Sequence, residues 1–448
     1  MTLKFQRTTL TCSLVAISFA NASAVDPDLA RFATAKQTQV REYAQALTNK
    51  VPSIVWSLFD AVRVDDWQTA TNLAARIDQA SGRFPDSGTN EAFSPALRTL
   101  IWPPISEMIG SHEQFHNWDN TLLRRFANEI IDSIPRGSIY FGGTDPGRFV
   151  ISVLSESHRD GKPFFTLTQN QLADQTYLAY LRKMYGGRIY IPTDDDSQTA
   201  FQDYLADAQA RLKNGKLKPG EDVRIVDNRV QVSGQVAVMA INGLLVKIIL
   251  NKNPSREFYI EESFPLEWMY PQLSIHGLIF QLHAKPIVGL NMEMVRTDQA
   301  YWKKLTGELV GDWITDSTSA KGVCDFVDKI FLRKDYEGFK GDLRFAKNEE
   351  AQKTFSKLRS SIAGLYIWRA EHARDAGEKS EAQRAADLAL RQAYALCPYS
   401  PEALFRYTKL LTDLNRPDDA FLAAKTSLRL DPNNASVQEL VRSLKHAQ

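Results

Sequence analysis

Cysteine, net charge and long apolar runs are all scarce in this chain of 448 residues. Its three cysteines are too few for a disulfide framework, so an ordinary hydrophobic core must hold the fold. Beyond the N-terminal segment only Cys324 and Cys397 remain. Two alternatives stay open: they form one disulfide, or they are buried separately as two thiols. The net charge of +1 gives no electrostatic footprint for nucleic acid. No stretch after residue 24 approaches the roughly 20 apolar residues of a membrane span.

The first residues have the features of a secretory signal peptide. Lys4 and Arg7 form a positive start, and a short apolar segment runs from Cys12 to Ala20. Ala22-Ser23-Ala24 is a small-x-small cleavage site. We therefore expect cleavage near Ala24 and export to the periplasm or the extracellular side.

Apolar spacing divides the remaining chain into three predicted regions. Residues 25–134 have helical periodicity throughout, and residues 346–448 do so again. Between them, residues 135–345 alternate short β-branched or aromatic runs with helical segments, which predicts an α/β domain with a Rossmann-like, mostly parallel sheet. The predicted strands are 137–143, 163–168, 188–192, 222–227, 256–262 and 277–283.

The C-terminal region has the spacing of a tetratricopeptide (TPR) repeat. Pro398 and Pro432 are 34 residues apart (432 − 398), which is the period of that repeat. Small or apolar residues occupy its packing positions, although Thr408 stands where glycine is usual; a generic helical hairpin is the alternative. One and a half repeats cannot stand alone, so the tail is predicted to pack on the α/β domain or on another protein. The packing residues are Leu404, Tyr407, Leu411, Ala420, Ala424 and Leu430.

The stretch SHEQFHNW contains a match to the zinc-peptidase motif H-E-x-x-H, formed by His112, Glu113 and His116. In that motif two histidines on one helix face bind zinc, and the glutamate acts as general base. The flanking residues favour a different structure, because Ser111 and Gln114 fit a capping box and no strand is predicted upstream. We expect a capped helix start with exposed histidines, and retain the zinc peptidase as the minority hypothesis.

Polar residues follow each of the first three predicted strands. Because the carboxyl ends of parallel strands meet at one sheet edge, where open α/β folds bind ligands, we expect these residues to lie together. Backbone N–H groups after the first strand would bind a phosphate or carboxylate, whereas the aspartates would bind a hard divalent cation. The same residue types also form ordinary caps and turns, and Asp145 before Pro146 has the form of an N-cap. The candidate ligand-binding residues are Gly142, Gly143, Thr144, Asp145, Arg148, Gln169, Asn170 and Asp194.

Several common catalytic motifs are missing from the sequence. It has no dinucleotide fingerprint, no P-loop and no nucleophile elbow. No cofactor is therefore predicted.

Seven segments together resemble a family of exported bacterial proteins with TPR-like C-termini and no established function. The segments are IPRGSIYFGGTDPGRFV, TQNQLADQTYLAYLRKMYG, RIYIPT, GQVAVMAINGLL, FYIEESFPLEWMYP, HGLIF and ALCPYSPEALFRY. The strand-loop-helix IYFGGTDPGRFVISVLSESHRDGKPF is also distantly similar to the soluble tail of membrane proteins related to protein-O-mannosyltransferases. The resemblance implies the fold and supplies no chemistry.

These observations lead to a functional expectation. The chain is predicted to be an exported, soluble binding or scaffold protein, whose TPR-like tail contacts a protein partner and whose α/β domain takes a small anionic or sugar-like ligand. The alternative is an enzyme that uses the carboxyl-edge loops for sugar- or phosphate-related chemistry. Under the enzyme hypothesis Asp145→Ala should abolish activity, whereas under the binding hypothesis truncation after about residue 345 should remove partner binding.

Overall fold

The computed structural model describes residues 25–46, 50–78, 95–155, 160–226, 229–261 and 267–446. The predicted signal peptide lies outside these ranges. The chain forms two compact units, each discontinuous in sequence: the first is Met1–Glu113 with Ser152–Arg256, and the second is Gln114–Ile151 with Glu257–Gln448. Both predicted domain boundaries, after residues 134 and 345, fall inside the second unit.

The N-terminal part of the first unit is helical, as the periodicity of residues 25–134 predicts. Asp26 accepts hydrogen bonds from the N–H groups of Asp28 and Leu29 at the start of the first helix. The boundary between the units falls within the fourth helix, which continues through the predicted helix start at Ser111. The helices are α1 (Pro27–Ala46), α2 (Ser53–Arg63), α3 (Trp67–Asp78) and α4 (Pro95–Asn117).

The rest of the first unit combines three helices with three short strands. Side chains make some of the hydrogen bonds to the backbone in this region. The Tyr185 hydroxyl, for example, accepts a hydrogen bond from the N–H of Thr166 and donates one to the Thr166 carbonyl. The elements are β2 (Phe165–Thr168), α7 (Gln175–Tyr185), α8 (Asp194–Lys213), β3 (Asp222–Val226), β4 (Arg229–Ser233) and α9 (Gly234–Lys252). Strands β3 and β4 form an antiparallel hairpin.

Helix α9 is the most apolar of these elements. Among helices in the described ranges, it alone is long and apolar enough to cross a membrane, which departs from the expectation that no stretch after residue 24 approaches a membrane span. Its buried residues include Asn242, whose side chain accepts a hydrogen bond from the N–H of Ala173. A core helix of a soluble protein has the same length and composition.

The predicted strand at residues 188–192 is wrong, because this segment pairs with no strand and begins with a bend at Arg188 and Ile189. The side chain of Asn253 supplies the partners that a neighbouring strand would give. Its Oδ1 accepts from the N–H of Tyr190 at 2.7 Å, and its Nδ2 donates to the carbonyl of Tyr190 at 3.1 Å. Ile189 and Ile191 are buried on the inner side, which explains the strand-like alternation of the sequence.

The second unit contains four strands, hydrogen-bonded in the order β1–β5–β7–β6. They are β1 (Ile139–Gly142), β5 (Phe258–Glu261), β6 (Leu273–His276) and β7 (Ile279–Leu282). Strands β1 and β5 are parallel, whereas β5–β7 and β6–β7 are antiparallel. The sheet is therefore mixed, and the prediction of a mostly parallel sheet is wrong here. The cause is local: the two-residue connection at Gly277 (φ 61°) makes β6 and β7 a hairpin, and hairpin strands are antiparallel.

Helices form the remainder of the second unit, and the fold class is α/β. The second boundary between the units falls within α6. Five packing positions of the predicted repeat (Leu404, Tyr407, Leu411, Ala420 and Ala424) are buried, and Leu430 is half-buried. The helices are α5 (Asn120–Ile131), α6 (Asp145–Ser155), α10 (Met292–Val310), α11 (Ala320–Val327), α12 (Leu343–Lys347), α13 (Glu349–Glu371), α14 (Ala376–Leu396), α15 (Pro401–Asp413), α16 (Pro417–Leu430) and α17 (Ala435–His446).

Candidate functional site

The loop from β1 to α6 binds an anion, and that anion is part of the chain. Glu261, at the end of β5, is fully buried. Its Oε2 accepts hydrogen bonds from the N–H groups of Gly143 (2.9 Å) and Thr144 (2.8 Å), and its Oε1 accepts from the Thr144 hydroxyl. The donors predicted to hold a phosphate or carboxylate are thus occupied by an internal carboxylate.

The local sequence explains this arrangement. Thr144 is the capping residue of α6, because its hydroxyl oxygen accepts from the N–H of Gly147 at 3.1 Å. Asp145, predicted to be the N-cap, is instead the first helical residue and pairs with Arg148 at 2.5 Å. A side chain at Gly147 would meet Glu261 at 1.7 Å, so only glycine permits the carboxylate to approach the helix.

Burial and hydrogen bonding act on Glu261 in opposite directions. Loss of water raises the pKa of its carboxyl group, while the three donors from Gly143 and Thr144 lower it, and the result is a raised pKa. The positive end of the α6 dipole also favours the ionised form. This site stabilises the fold through a buried carboxylate and leaves the loop's donors satisfied.

The other three predicted ligand residues lie in the first unit, so the structure divides the predicted cluster between the two units. Gln169 and Asn170 form a 3-10 turn directly after β2, with Gln169 buried and Asn170 exposed. Asp194 is exposed at the start of α8 and pairs with Arg182 at 2.9 Å.

The aspartates of residues 194–196 begin α8 as a capping box. The Thr193 hydroxyl accepts from the N–H of Asp196, and the Asp196 carboxylate accepts from the N–H of Thr193. Although partial burial alone would raise it, hydrogen bonds from Tyr190 and Thr193 lower the pKa of Asp196. This run of aspartates serves as a helix start, and the carboxylates favour the positive end of the helix dipole.

The H-E-x-x-H residues lie in the last two turns of α4 and not in a first helical turn. Ser111 is no cap, because its hydroxyl donates to the carbonyl of Glu107 within the helix. His112 is buried, 3.0 Å from Asp65 Oδ1 and edge-on to the ring of Trp67, so the expectation of an exposed histidine is wrong for this residue. Burial lowers the pKa of His112, against the opposing effect of Asp65.

The remaining residues of this motif, Glu113 and His116, are exposed. Glu129, on α5, accepts a hydrogen bond from the Tyr301 hydroxyl at 2.8 Å. Across the ranges that the structure describes, no three His, Cys, Asp or Glu side chains are grouped to hold a metal ion.

A basic cleft of about 570 Å³ lies in the first unit, at residues that no sequence motif marks as a site. Four cationic side chains line it, and no acidic residue is among the lining. Its wall is the segment 188–192 together with the ends of α7 and α9. We call it the basic cleft, and its cations are Arg182, Arg188, Lys252 and Arg256.

Two of these cations are held in place by backbone carbonyls. Arg188 donates to the carbonyls of Tyr185 (2.8 Å) and Met184 (2.9 Å) at the end of α7. Arg256 donates to the carbonyl of Arg188 at 3.2 Å. The partial negative charge of a helix C-terminus favours cations there. The sequence feature that indicates this cleft is therefore the presence of basic residues just beyond two helix ends.

The two cysteines outside the N-terminal segment are unpaired thiols. Cys324 and Cys397 are both buried, and no disulfide joins them. Burial raises the pKa of Cys324 to about 11 and that of Cys397 to about 12. Thiols of this kind are inert as nucleophiles.

Comparison with known proteins gives no relative. No family model, curated protein or solved structure matches the chain.

Proposed function

We propose that this protein is an exported binding protein, and that its first unit takes a small anionic ligand in the basic cleft. The observation that carries the proposal is the convergence of four cationic side chains on one cavity of about 570 Å³. That volume lies in the range of small-molecule sites. A ligand with phosphate or carboxylate groups fits this lining.

The charges around the basic cleft decide which ligand class is favoured. Asp194 pairs with Arg182, and the Asp196 carboxylate accepts hydrogen bonds from the Tyr190 hydroxyl and the Thr193 N–H. Neither aspartate is part of the lining. The ends of α7 and α9 contribute roughly −0.5 charge each. Asp194 offsets part of the charge of Arg182, so most of the positive charge of the lining belongs to Arg188, Lys252 and Arg256. An anion inside the cleft therefore contacts cations first.

The proposal includes the helical tail as a protein-binding element of TPR type. Support comes from the buried repeat positions and from two helix breaks: the break at Pro398 separates α14 from α15, and the break at Pro432 separates α16 from α17. The strand-loop-helix β1–α6 with its parallel neighbour β5 is the part of the sheet that supports a Rossmann-like relationship. Membership of the exported family that the sequence resembles remains part of this proposal.

The test is isothermal titration calorimetry of the purified protein with inorganic phosphate and with citrate. We expect saturable binding that weakens as sodium chloride is added. Lys252→Ala should weaken binding about two- to fivefold, the effect of one partly exposed charge. Lys247→Ala is the matched control, because Lys247 is exposed on the same helix and is not part of the lining.

Equal binding by the two variants would place the anion elsewhere. No binding of either anion by the wild-type protein would contradict the proposal.

A further inference from the structure

A second cavity, of about 660 Å³, lies along α1 in the first unit. Small and hydroxylated residues of α1 leave the space open, among them Thr34, Ala35 and Thr38. The Thr34 and Thr38 hydroxyls donate to carbonyls of their own helix, so their remaining lone pairs are acceptors. Lys36 and Gln39 also belong to its lining.

Lys36 is the unusual member of this lining, because only 2% of its surface is exposed. Its Nζ lies 2.6 Å from Oε2 of Glu107 on α4 and donates to the Tyr180 hydroxyl on α7 at 2.8 Å. The Tyr180 hydroxyl in turn lies 2.9 Å from the same Glu107 oxygen. The amine, the carboxylate and the phenol therefore form a closed triangle at hydrogen-bond distance.

The third contact of the Lys36 nitrogen is with another residue of the cavity lining. It is directed at Oε1 of Gln39, a lining residue, at 3.5 Å, which is the limit of a hydrogen bond. The Gln39 side chain has better partners, since its Nε2 donates to Tyr43 and its Oε1 accepts from Tyr180. A ligand atom entering the cavity can replace this weak contact without breaking the triangle.

The environment also favours the uncharged amine. Burial lowers the pKa of Lys36, against the attraction of Glu107, which raises it. A buried ion pair has a purely structural use as well, and such pairs contribute little net stability. An ion pair with only a structural role needs no adjoining cavity, whereas Lys36 lines one.

We propose that Lys36 is a reactive amine that binds a small aldehyde or ketone in this cavity as an imine. Glu107 takes one proton from the Lys36 ammonium group across the 2.6 Å contact, which leaves a neutral amine and a carboxylic acid. The nitrogen attacks the carbonyl carbon, and a proton moves from nitrogen to the carbonyl oxygen to give a carbinolamine. Glu107 returns its proton to that hydroxyl, which leaves as water.

The product is a protonated imine beside the Glu107 carboxylate, and the total charge is unchanged from the starting ion pair. Tyr180 positions the Lys36 nitrogen and the Glu107 carboxylate through its two contacts. This site is separate from the basic cleft, so either proposal can fail alone.

The test is reductive trapping of the full-length protein with glycolaldehyde and cyanoborohydride at about pH 7, followed by peptide-mapping mass spectrometry. A lowered pKa leaves a larger fraction of the Lys36 amine uncharged, and Glu107 lies in contact with it to accept and return a proton. We expect Lys36 to be labelled several-fold faster than exposed Lys252 or Lys247 in the same molecule. Urea unfolding should remove the preference.

Two variants refine the experiment. Glu107→Gln should abolish the preferential labelling of Lys36, with circular dichroism confirming the fold, while Tyr180→Phe should reduce it. Should Glu107→Gln fail to fold, the comparison of lysines within the wild-type protein still decides the matter. Labelling of Lys36 no faster than that of the exposed lysines would overturn the proposal.

Discussion

At the scale of single residues, one carboxylate determines what the β1–α6 loop does. Glu261 uses the backbone N–H groups of Gly143 and Thr144, and Gly147 is the residue that lets it approach. The glycine-rich sequence of the loop predicts an exposed anion site. The anion is internal, and it comes from a residue 118 positions away from Gly143 along the chain.

Gly147→Ala should destabilise the protein by about 3 kcal/mol or more, because the added methyl group displaces Glu261 and leaves buried donors unsatisfied. The measurement is the free energy of unfolding from a urea titration. Gly322→Ala is the matched control: Gly322 also lies in a first helical turn, its N–H is also bound by the capping hydroxyl (Ser319), and a methyl group there meets only ordinary contacts.

For this control we expect a change between zero and about 1 kcal/mol in the stabilising direction, from the higher helix propensity of alanine. Equal effects of the two substitutions would contradict the role assigned to Glu261.

At the scale of elements, one side chain makes the backbone hydrogen bonds that a neighbouring strand would otherwise make. Residues 188–192 alternate like a buried strand, yet Asn253 at the end of α9 holds the backbone of Tyr190. Asn253 also donates to the carbonyl of Ile249 at 2.8 Å, so it caps α9 at the same time. By binding both Tyr190 and the end of α9, Asn253 holds together one wall of the basic cleft.

Asn253→Ala should lower the free energy of unfolding by about 2 kcal/mol, because the N–H and the carbonyl of Tyr190 lose their partners. Asn251→Ala, an exposed change on the same helix, should have an effect within about 0.5 kcal/mol. Hydrogen exchange of the Tyr190 amide is the direct measurement, and unchanged protection of that amide in Asn253→Ala would contradict this account.

At the scale of the whole molecule, the C-terminal helices are integral to the second unit. Arg359 on α13 and Asp298 on α10 form an ion pair with both side chains fully buried, at 2.9 Å. The Tyr366 hydroxyl donates to the same aspartate, and Gln392 accepts from Arg359. A truncation after residue 345 therefore removes part of a core and does not release a separate module.

Arg359→Met should destabilise the second unit by about 3–5 kcal/mol, because Asp298 is left as a buried charge without its cation. Lys353→Met on the same helix removes a half-exposed pair with Glu350 and should cost less than about 1 kcal/mol. Urea unfolding followed by near-UV circular dichroism measures both.

The double variant Arg359→Met with Asp298→Asn should recover much of the loss, since neither charge is then isolated. Additive losses in the double variant would show that the pair is not coupled.

The sequence by itself determined the local elements of this protein. Apolar periodicity predicts the helices at both ends, and β-branched runs predict the strands at 139–142 and 258–261, because these signals depend on neighbours a few residues apart. The burial of Leu404, Tyr407 and Leu411 follows from the repeat spacing in the same way. Local chemistry also predicts that the backbone N–H groups of the β1–α6 loop bind an anion, but it does not identify that anion.

Only the tertiary structure decided what those residues contact. It placed Glu261 against the loop, Asn253 against Tyr190, and Glu107 with Tyr180 against Lys36. It also paired β5 with β7 in the antiparallel direction, although these strands are not consecutive in the chain. The physical reason is common to all of these: a hydrogen bond or ion pair forms between groups far apart in sequence, and their proximity depends on how the whole core packs.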